Sequence, residues 1–255
     1  MSDMPDIPAA RNALGVLRLL AARSAPVPAS TIARELGIPR SSVYQLLAVM
    51  MDEGFVVHYP EDHAYGLSSL VSELGTAALQ SERLARLAKP LLDRLVAELR
   101  MPVVAHLAVL GGADVVYAAR VQGFRAPTTV SAIGVRLPAH LTATGRAMLA
   151  RLAPGQVRAL YPHRASLIRR SDAGPASLAE LDSLLAATRE RGWAVEEGDV
   201  TAEYGSAGAA AVDRNGYPVA AIGLTFRLDT LAAHEVGPAV LRTADALTAR
   251  LTGRA

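Results

Sequence analysis

Along the first eighty residues, apolar positions fall into short helical stripes, each cut off by glycine or proline. Leu14, Leu17, Leu20 and Ala21 share one face and predict a helix from Ala13 to Ala22. A loop with Pro26 and Pro28 follows, and Ala29 or Ser30 opens a second helix, Thr31 to Leu36. Gly37 suits the left-handed position beyond a helix end, and Pro39 suits a first turn, where its missing N–H removes nothing. The next helix runs to about Asp52 and buries Val43, Leu46, Leu47 and Met50, with Gly54 after it. Phe55–Tyr59 and Ala64–Leu67 read as short strands around Pro60-Glu61-Asp62-His63. From Leu67 to Gln80, apolar positions 67, 70, 71, 74 and 78 form one helical stripe.

The rest of the chain alternates the two periods. Glu82 to Arg100 is a long amphipathic helix carrying Leu84, Leu87, Leu91, Leu92, Leu95 and Leu99. Val103–Leu110 and Asp114–Val121 form a hairpin signal around Gly111-Gly112, and Thr128–Ile133 is a further β-branched run. Helices are expected over 142–152, 154–161, 177–191 and 233–251, and strands over 193–197, 206–213 and 217–226. Asn215-Gly216 fits a tight primed turn between the last two strands. Strands and helices interleave without a strict βαβ repeat, so the expected fold class is α+β, with a mixed, largely antiparallel sheet covered by helices.

Helix, tight turn, second helix and hairpin make the winged helix-turn-helix plan, in which the second helix enters the major groove by its N-terminal end. That end is Arg40, Ser41 and Ser42, with Tyr44 and Gln45 one turn on. Helix-start N–H groups and serine hydroxyls suit phosphate, Arg40 suits phosphate or guanine, and Gln45 suits adenine. Tyr44 can stack on sugar or touch a thymine methyl. Ser30 and Thr31, opening the first helix of the pair, complete the candidate DNA-binding set. An ordinary helical hairpin whose serines only cap a helix is the plainer alternative.

Composition changes this little. A pI near 9.1 suggests nucleic acid, yet residues 1–80 carry a net charge of −3 and the remainder +5, so the DNA reading rests on local placement. No apolar run reaches the ~18–20 residues of a membrane span, and the acidic, proline-broken N-terminus is unlike a signal peptide. With zero cysteines and no ligand spacing among the six histidines, no disulfide, metal site or other cofactor is expected. The chain reads as a cytoplasmic protein with no membrane partner. An enzyme is the rival from another class, a hydrolase-like protein with a helical interaction domain, but neither a G-x-S-x-G elbow nor a Walker loop is present.

The stretches GVRLPAHLTATGRAMLARL (134–152) and RERGWAVEEGDVTAEYGSAGAAAVDRNGYPVAAIGLTF (189–226) resemble the effector domain of IclR-type transcriptional regulators. PASTIARELGIPRSSVYQLLAVMMDEGFV resembles the same family's winged helix-turn-helix. The resemblance runs from about residue 11 to 250. It implies residues 1–66 as DNA-binding domain, 67–81 as linker helix and 82–255 as a GAF-like effector-binding, oligomerising domain. It also implies a homodimer or dimer of dimers and an operator in double-stranded DNA. Regulation, repression in the first instance, would depend on a small organic metabolite such as an aromatic or short organic acid or derivative.

The same resemblance implies an effector pocket of Thr129, His140, Ala143, Thr144, Glu196, Ser206, Gly223 and Thr225. A helix start with threonine and serine hydroxyls would give it a polar floor inside an apolar shell. Each assignment has a structural counterpart: His140 as a packed histidine, Glu196 with Glu197 as a solvated strand end, Ser206 and Thr225 as partners of nearby backbone. The chain departs from the family pattern at Gln45 (commonly arginine), Arg146 (often lysine), Ser206 (often cysteine) and Gly223 (often serine).

Overall fold

Helix α1 (Pro8–Ala21) starts on a proline, earlier than its apolar stripe suggests, and buries Val16 and Leu20. The computed structural model describes residues 7–23, 25–170 and 173–253, with the backbone alone for 76–80. Strand β1 (Val27–Pro28) leads into α2 (Ala29–Leu36) and α3 (Arg40–Asp52), then β2 (Val56–Tyr59), β3 (Ala64–Leu67) and α4 (Ser69–Leu99). Gly37 takes φ 66°, and the Ile38 N–H donates to the Ala33 carbonyl, closing α2 at the expected glycine. Val16, Ile32, Val43 and Leu47 are fully buried in the core that α1, α2 and α3 share with the hairpin.

Two expectations fail in this region. Val27–Pro28 is not loop; it pairs with β3 as the edge of a three-stranded sheet ordered β1-β3-β2, and an edge is where a strand proline is tolerated. The helices expected at 67–80 and 82–100 are one continuous helix, Ser69–Leu99. The polar Gln80-Ser81-Glu82 step interrupts the apolar pattern of the sequence without ending the helix, because Gln and Glu are good helix formers. The chain divides into two compact units between Leu79 and Gln80.

The second unit continues with β4 (Val104–Gly111), β5 (Asp114–Gln122), β6 (Arg136–Pro138), α5 (Ala143–Leu149), α6 (Pro154–Leu160) and α7 (Leu178–Arg191). β7 (Ala194–Glu197), β8 (Tyr204–Val212), β9 (Pro218–Arg227) and α8 (Ala233–Thr252) complete it. The six strands pair in the order β6-β5-β4-β9-β8-β7, every pairing antiparallel. Strand alternation sorts the side chains between two layers. Ala105, Leu107, Ala207, Ala209, Ile222, Leu224 and Phe226 pack with α8 and the later part of α4. Ala108, Ala210 and Ala221 face α5 and α7 instead. His106, Ser206, Gly208, Gly223 and Thr225 share the parity of that second face.

The Thr128–Ile133 run is not a strand. Its hydrogen bonds are local, Ala132 N–H to the Val130 carbonyl and Thr129 Oγ1 to Ser131 Oγ at 2.9 Å, while Val130 and Ile133 are exposed. The 213–217 turn is not primed either. Asp213 Oδ1 accepts the N–H groups of Asn215 and Tyr217, and only Gly216 has positive φ, 81°.

Gly208 sets the spacing of the second layer: a Cβ there would lie 2.5 Å from Ala143 C and 2.6 Å from Thr144 N. Gly208→Ala is therefore expected to destabilise the protein by about 1–3 kcal/mol, read by urea unfolding. An unchanged midpoint would mean that α5 does not need this approach.

Candidate functional site

Two groups of residues stand out, one in each unit. In the first, Val43, Leu47 and Met50 fix which face of α3 is buried, and this turns Arg40, Ser41, Ser42, Tyr44 and Gln45 outward. Pro39 is the N-cap, and neither serine caps the helix, so the plain capping role does not account for Ser41 and Ser42. The first hydrogen bond of the helix runs from Val43 N–H to the Pro39 carbonyl. The N–H groups of Arg40, Ser41 and Ser42 precede it and have no acceptor within the helix. Ser30 is exposed and Thr31 half-buried at the opening of α2. Tyr44 is 56% exposed on the same face. The turn between β2 and β3 presents Glu61 and Asp62 to solvent.

In the second unit a cavity of about 170 Å³ lies between the sheet and α5. Thr129, Ala143, Thr144, Glu196, Ser206 and Thr225 line it. Thr142 caps α5 through its hydroxyl, which accepts the Gly145 N–H at 3.0 Å. Ser206 Oγ and Thr225 Oγ1, opposite each other on β8 and β9, are 3.0 Å apart. Glu196 is buried rather than solvated: its Oε1 accepts the Asp199 and Val200 N–H groups at 2.8 and 3.2 Å. Burial lifts its carboxyl from 4.5 to about 7, against the pull of the Val200 N–H and the Ser206 hydroxyl.

Two expected residues stand elsewhere. The His140 side chain is not in the cavity wall; its Nε2–H donates to the Ile168 carbonyl at 2.8 Å and its ring meets Tyr161 edge-on. It is the packed histidine of the plainer alternative. Gly223 contributes no wall either, but a Cβ there would come within 2.8 Å of His106 Nε2 and 2.6 Å of Thr144 Cγ2. The glycine does not merely delete a donor; it clears room for an imidazole.

That imidazole is the chief residue absent from the expected set. His106 pairs with Gly223 in register, lines the cavity and packs edge-on against Tyr117, which lines it too. A single histidine inside the apolar run Val103–Leu110 was the available signal. Burial, with the Arg120 charge second, lowers the His106 imidazole to about 3, and burial raises the Tyr117 phenol to about 12. Both are uncharged at neutral pH. Among the described residues, His106 Nδ1 and Arg120 Nε are buried without a hydrogen-bond partner, while the Thr144 hydroxyl pulls on the Tyr117 phenol against that burial.

Arg146 holds this floor together. Its guanidinium is buried, donates to the His140 and Val195 carbonyls at 2.8 Å each, and pairs with Asp199. It thereby ties α5 to β7 and to the turn that binds Glu196. Among the described residues no cluster of His, Cys, Asp or Glu fits a metal ion, and no helix is long and apolar enough to cross a membrane.

Comparison with known proteins follows the same division. The family description "Bacterial transcriptional regulator IclR C-terminal" matches residues 76–249, and "IclR helix-turn-helix domain" matches residues 9–60. The transcriptional repressor IclR of Escherichia coli is 28% identical over 92% of this chain and 86% of its own. The crystal structure of the Agrobacterium tumefaciens repressor BlcR shares 28% identity and a TM-score of 0.61, covering 98% of each chain. An IclR homologue from Microbacterium hydrocarbonoxydans, crystallised with 4-hydroxybenzoate, has the same fold at 21% identity and TM-score 0.63, over 95% of this chain and 98% of that one.

Two measurements test the energetics. Asp199→Ala leaves Arg146 buried and uncompensated and is expected to cost about 3–5 kcal/mol in chemical denaturation. Glu196 has a folded pKa above its unfolded value, so its contribution is fully present below about 4.5 and is lost as pH rises through about 7. Glu196→Gln should therefore gain on the wild type between pH 4.5 and 8, on the order of 2–3 kcal/mol. A difference that stays constant with pH would contradict the buried-carboxylate assignment.

Proposed function

The chain belongs to the IclR family of bacterial transcriptional regulators, and we propose that it represses its target promoter through α3, under control of a small molecule held in the cavity behind α5. The observation that carries this reading is the outward hydrogen-bonding start of α3: Arg40, Ser41 and Ser42, followed by Tyr44 and Gln45. Winged helix-turn-helix proteins place that part of the helix in the major groove. Free N–H groups and Ser41 and Ser42 take phosphate, Arg40 takes phosphate or guanine, and Gln45 reads a base edge. Ser30 and Thr31 reach the flanking backbone. Its family relatives are regulators rather than enzymes, and the cavity's carboxylate, neutral imidazole and hydroxyls serve recognition.

Residues 1–66 are then the DNA-binding domain, 67–81 a linker helix and 82–255 the effector-binding and oligomerising domain of a cytoplasmic protein. Two or four copies assemble on a near-palindromic operator with half-sites about 34 Å, one helical turn, or a multiple apart. The effector is a small organic molecule of about one ring, a size to which the ~170 Å³ cavity and the relative crystallised with 4-hydroxybenzoate both lend support. Thr129, Thr144, Glu196, Ser206 and Thr225 contact it, with His106 and Tyr117. The ligand acts by binding one arrangement of the protein more tightly than another and so shifting the population that holds DNA.

Fluorescence anisotropy on DNA from upstream of the protein's own gene tests the reading. Arg40→Ala is expected to weaken binding about tenfold and to reduce the salt slope by about 1 if Arg40 holds phosphate, or to relax one base position if it reads guanine. Wild-type affinity and specificity in that variant would remove Arg40 from the interface.

A further inference from the structure

The cavity wall is rich in hydroxyls and poor in charge. Its side chains include the hydroxyls of Thr128, Thr129, Ser131, Thr142, Thr144 and Thr225, yet no lysine or arginine is among the described residues lining it. Glu196 is the only carboxylate among the described residues lining it. Two arginines lie outside the wall. Arg146 is committed to Asp199 and to the His140 and Val195 carbonyls. Arg120 stands opposite His106 in the β4–β5 register, outside the wall; its charge is felt at that imidazole and its buried Nε has no described hydrogen-bond partner.

A carboxylate ligand in this space would bring a second negative charge beside Glu196 with no lining cation to offset either. Like charges at such separations, in surroundings less polarisable than water, disfavour one another strongly. An amide offers the reverse: N–H donors for a carboxylate that no cation neutralises, and a carbonyl for a hydroxyl. Thr144 Oγ1 is such a hydroxyl, buried in the wall beside the Tyr117 phenol. Cavities of about 150 Å³ hold a benzene ring, so about 170 Å³ admits a one-ring ligand with a small polar group.

We propose that this cavity selects an uncharged, hydrogen-bond-donating ligand of one-ring size, a primary amide in preference to the matching carboxylate, with Glu196 as the selecting residue. The inference rests on the reading that the cavity is the effector site and narrows it. A neutral His106, held so by burial, adds no positive charge that an anion could use.

Isothermal titration calorimetry of the full-length protein at pH 8 with two matched pairs tests this: benzamide against benzoate, and 4-hydroxybenzamide against 4-hydroxybenzoate. The amide of each pair is expected to bind at least tenfold more tightly. Glu196→Gln, which keeps an acceptor for the Asp199 and Val200 N–H groups, is expected to shrink that preference at least tenfold, with folding checked by thermal unfolding. Acids binding as tightly as amides in the wild type, or a preference that Glu196→Gln leaves intact, would overturn the proposal while leaving the effector site standing. Binding of none of the four at millimolar concentration would instead overturn the one-ring effector reading, and this inference with it.

Discussion

The second unit depends on how closely a short helix can lie against a strand almost without side chains. Strand β8 carries Gly205, Ser206, Ala207, Gly208 and three further alanines, and at Gly208 the backbone of α5 occupies the place of a Cβ. Gly223 on the neighbouring strand does the same for His106 and Thr144. Side-chain volume given up at these positions lets α5 approach, and the space that remains beside it is the cavity. Small residues here decide where the helix sits and therefore which hydroxyls face inward.

Close approach alone would leave polar groups stranded, and the buried Arg146 answers that problem. One guanidinium satisfies two carbonyls and a carboxylate from three separate segments. A buried ion pair adds little net stability beside a hydrophobic replacement, but removing one partner is severe. Its contribution is therefore positional: it holds the turn whose N–H groups bind Glu196, the one carboxylate among the described residues lining the cavity. In the first unit the division of labour is simpler. Core side chains on one face of α3 leave its polar leading turn exposed, with backbone donors that the helix itself cannot use.

How much of this was legible in the sequence depends on how local each feature is. The turn at Gly37, the buried face of α3 and a helix beginning near residue 142 follow from spacings of a few residues, and the pattern contains them. The Thr128–Ile133 run has strand composition but no strand to pair with, so its β-branched residues misled. Asn215-Gly216 has the residues of a primed turn, yet Asp213 captures two N–H groups and imposes another. The helix at Ser69–Leu99 runs through a polar step that breaks the apolar pattern but not the helix, so the pattern divides it in two. Within the cavity, residues near the resemblance motifs were found, whereas His106 and Tyr117 were missed. Their place depends on β4 pairing with β9 and β5, which a linear pattern does not contain. His140 shows the converse: a polar residue inside a motif that is satisfied by backbone and lies off the cavity wall.

Hydrogen–deuterium exchange of the intact protein, free and bound to its upstream DNA, tests the central claim most directly. The amides of Arg40, Ser41 and Ser42 lack helix acceptors and should exchange quickly in the free protein. Bound DNA is expected to slow exchange across Arg40–Gln45, and a ligand that releases the DNA should restore it. Exchange in that turn unaltered by DNA that is demonstrably bound would show that the protein holds the double helix through another surface.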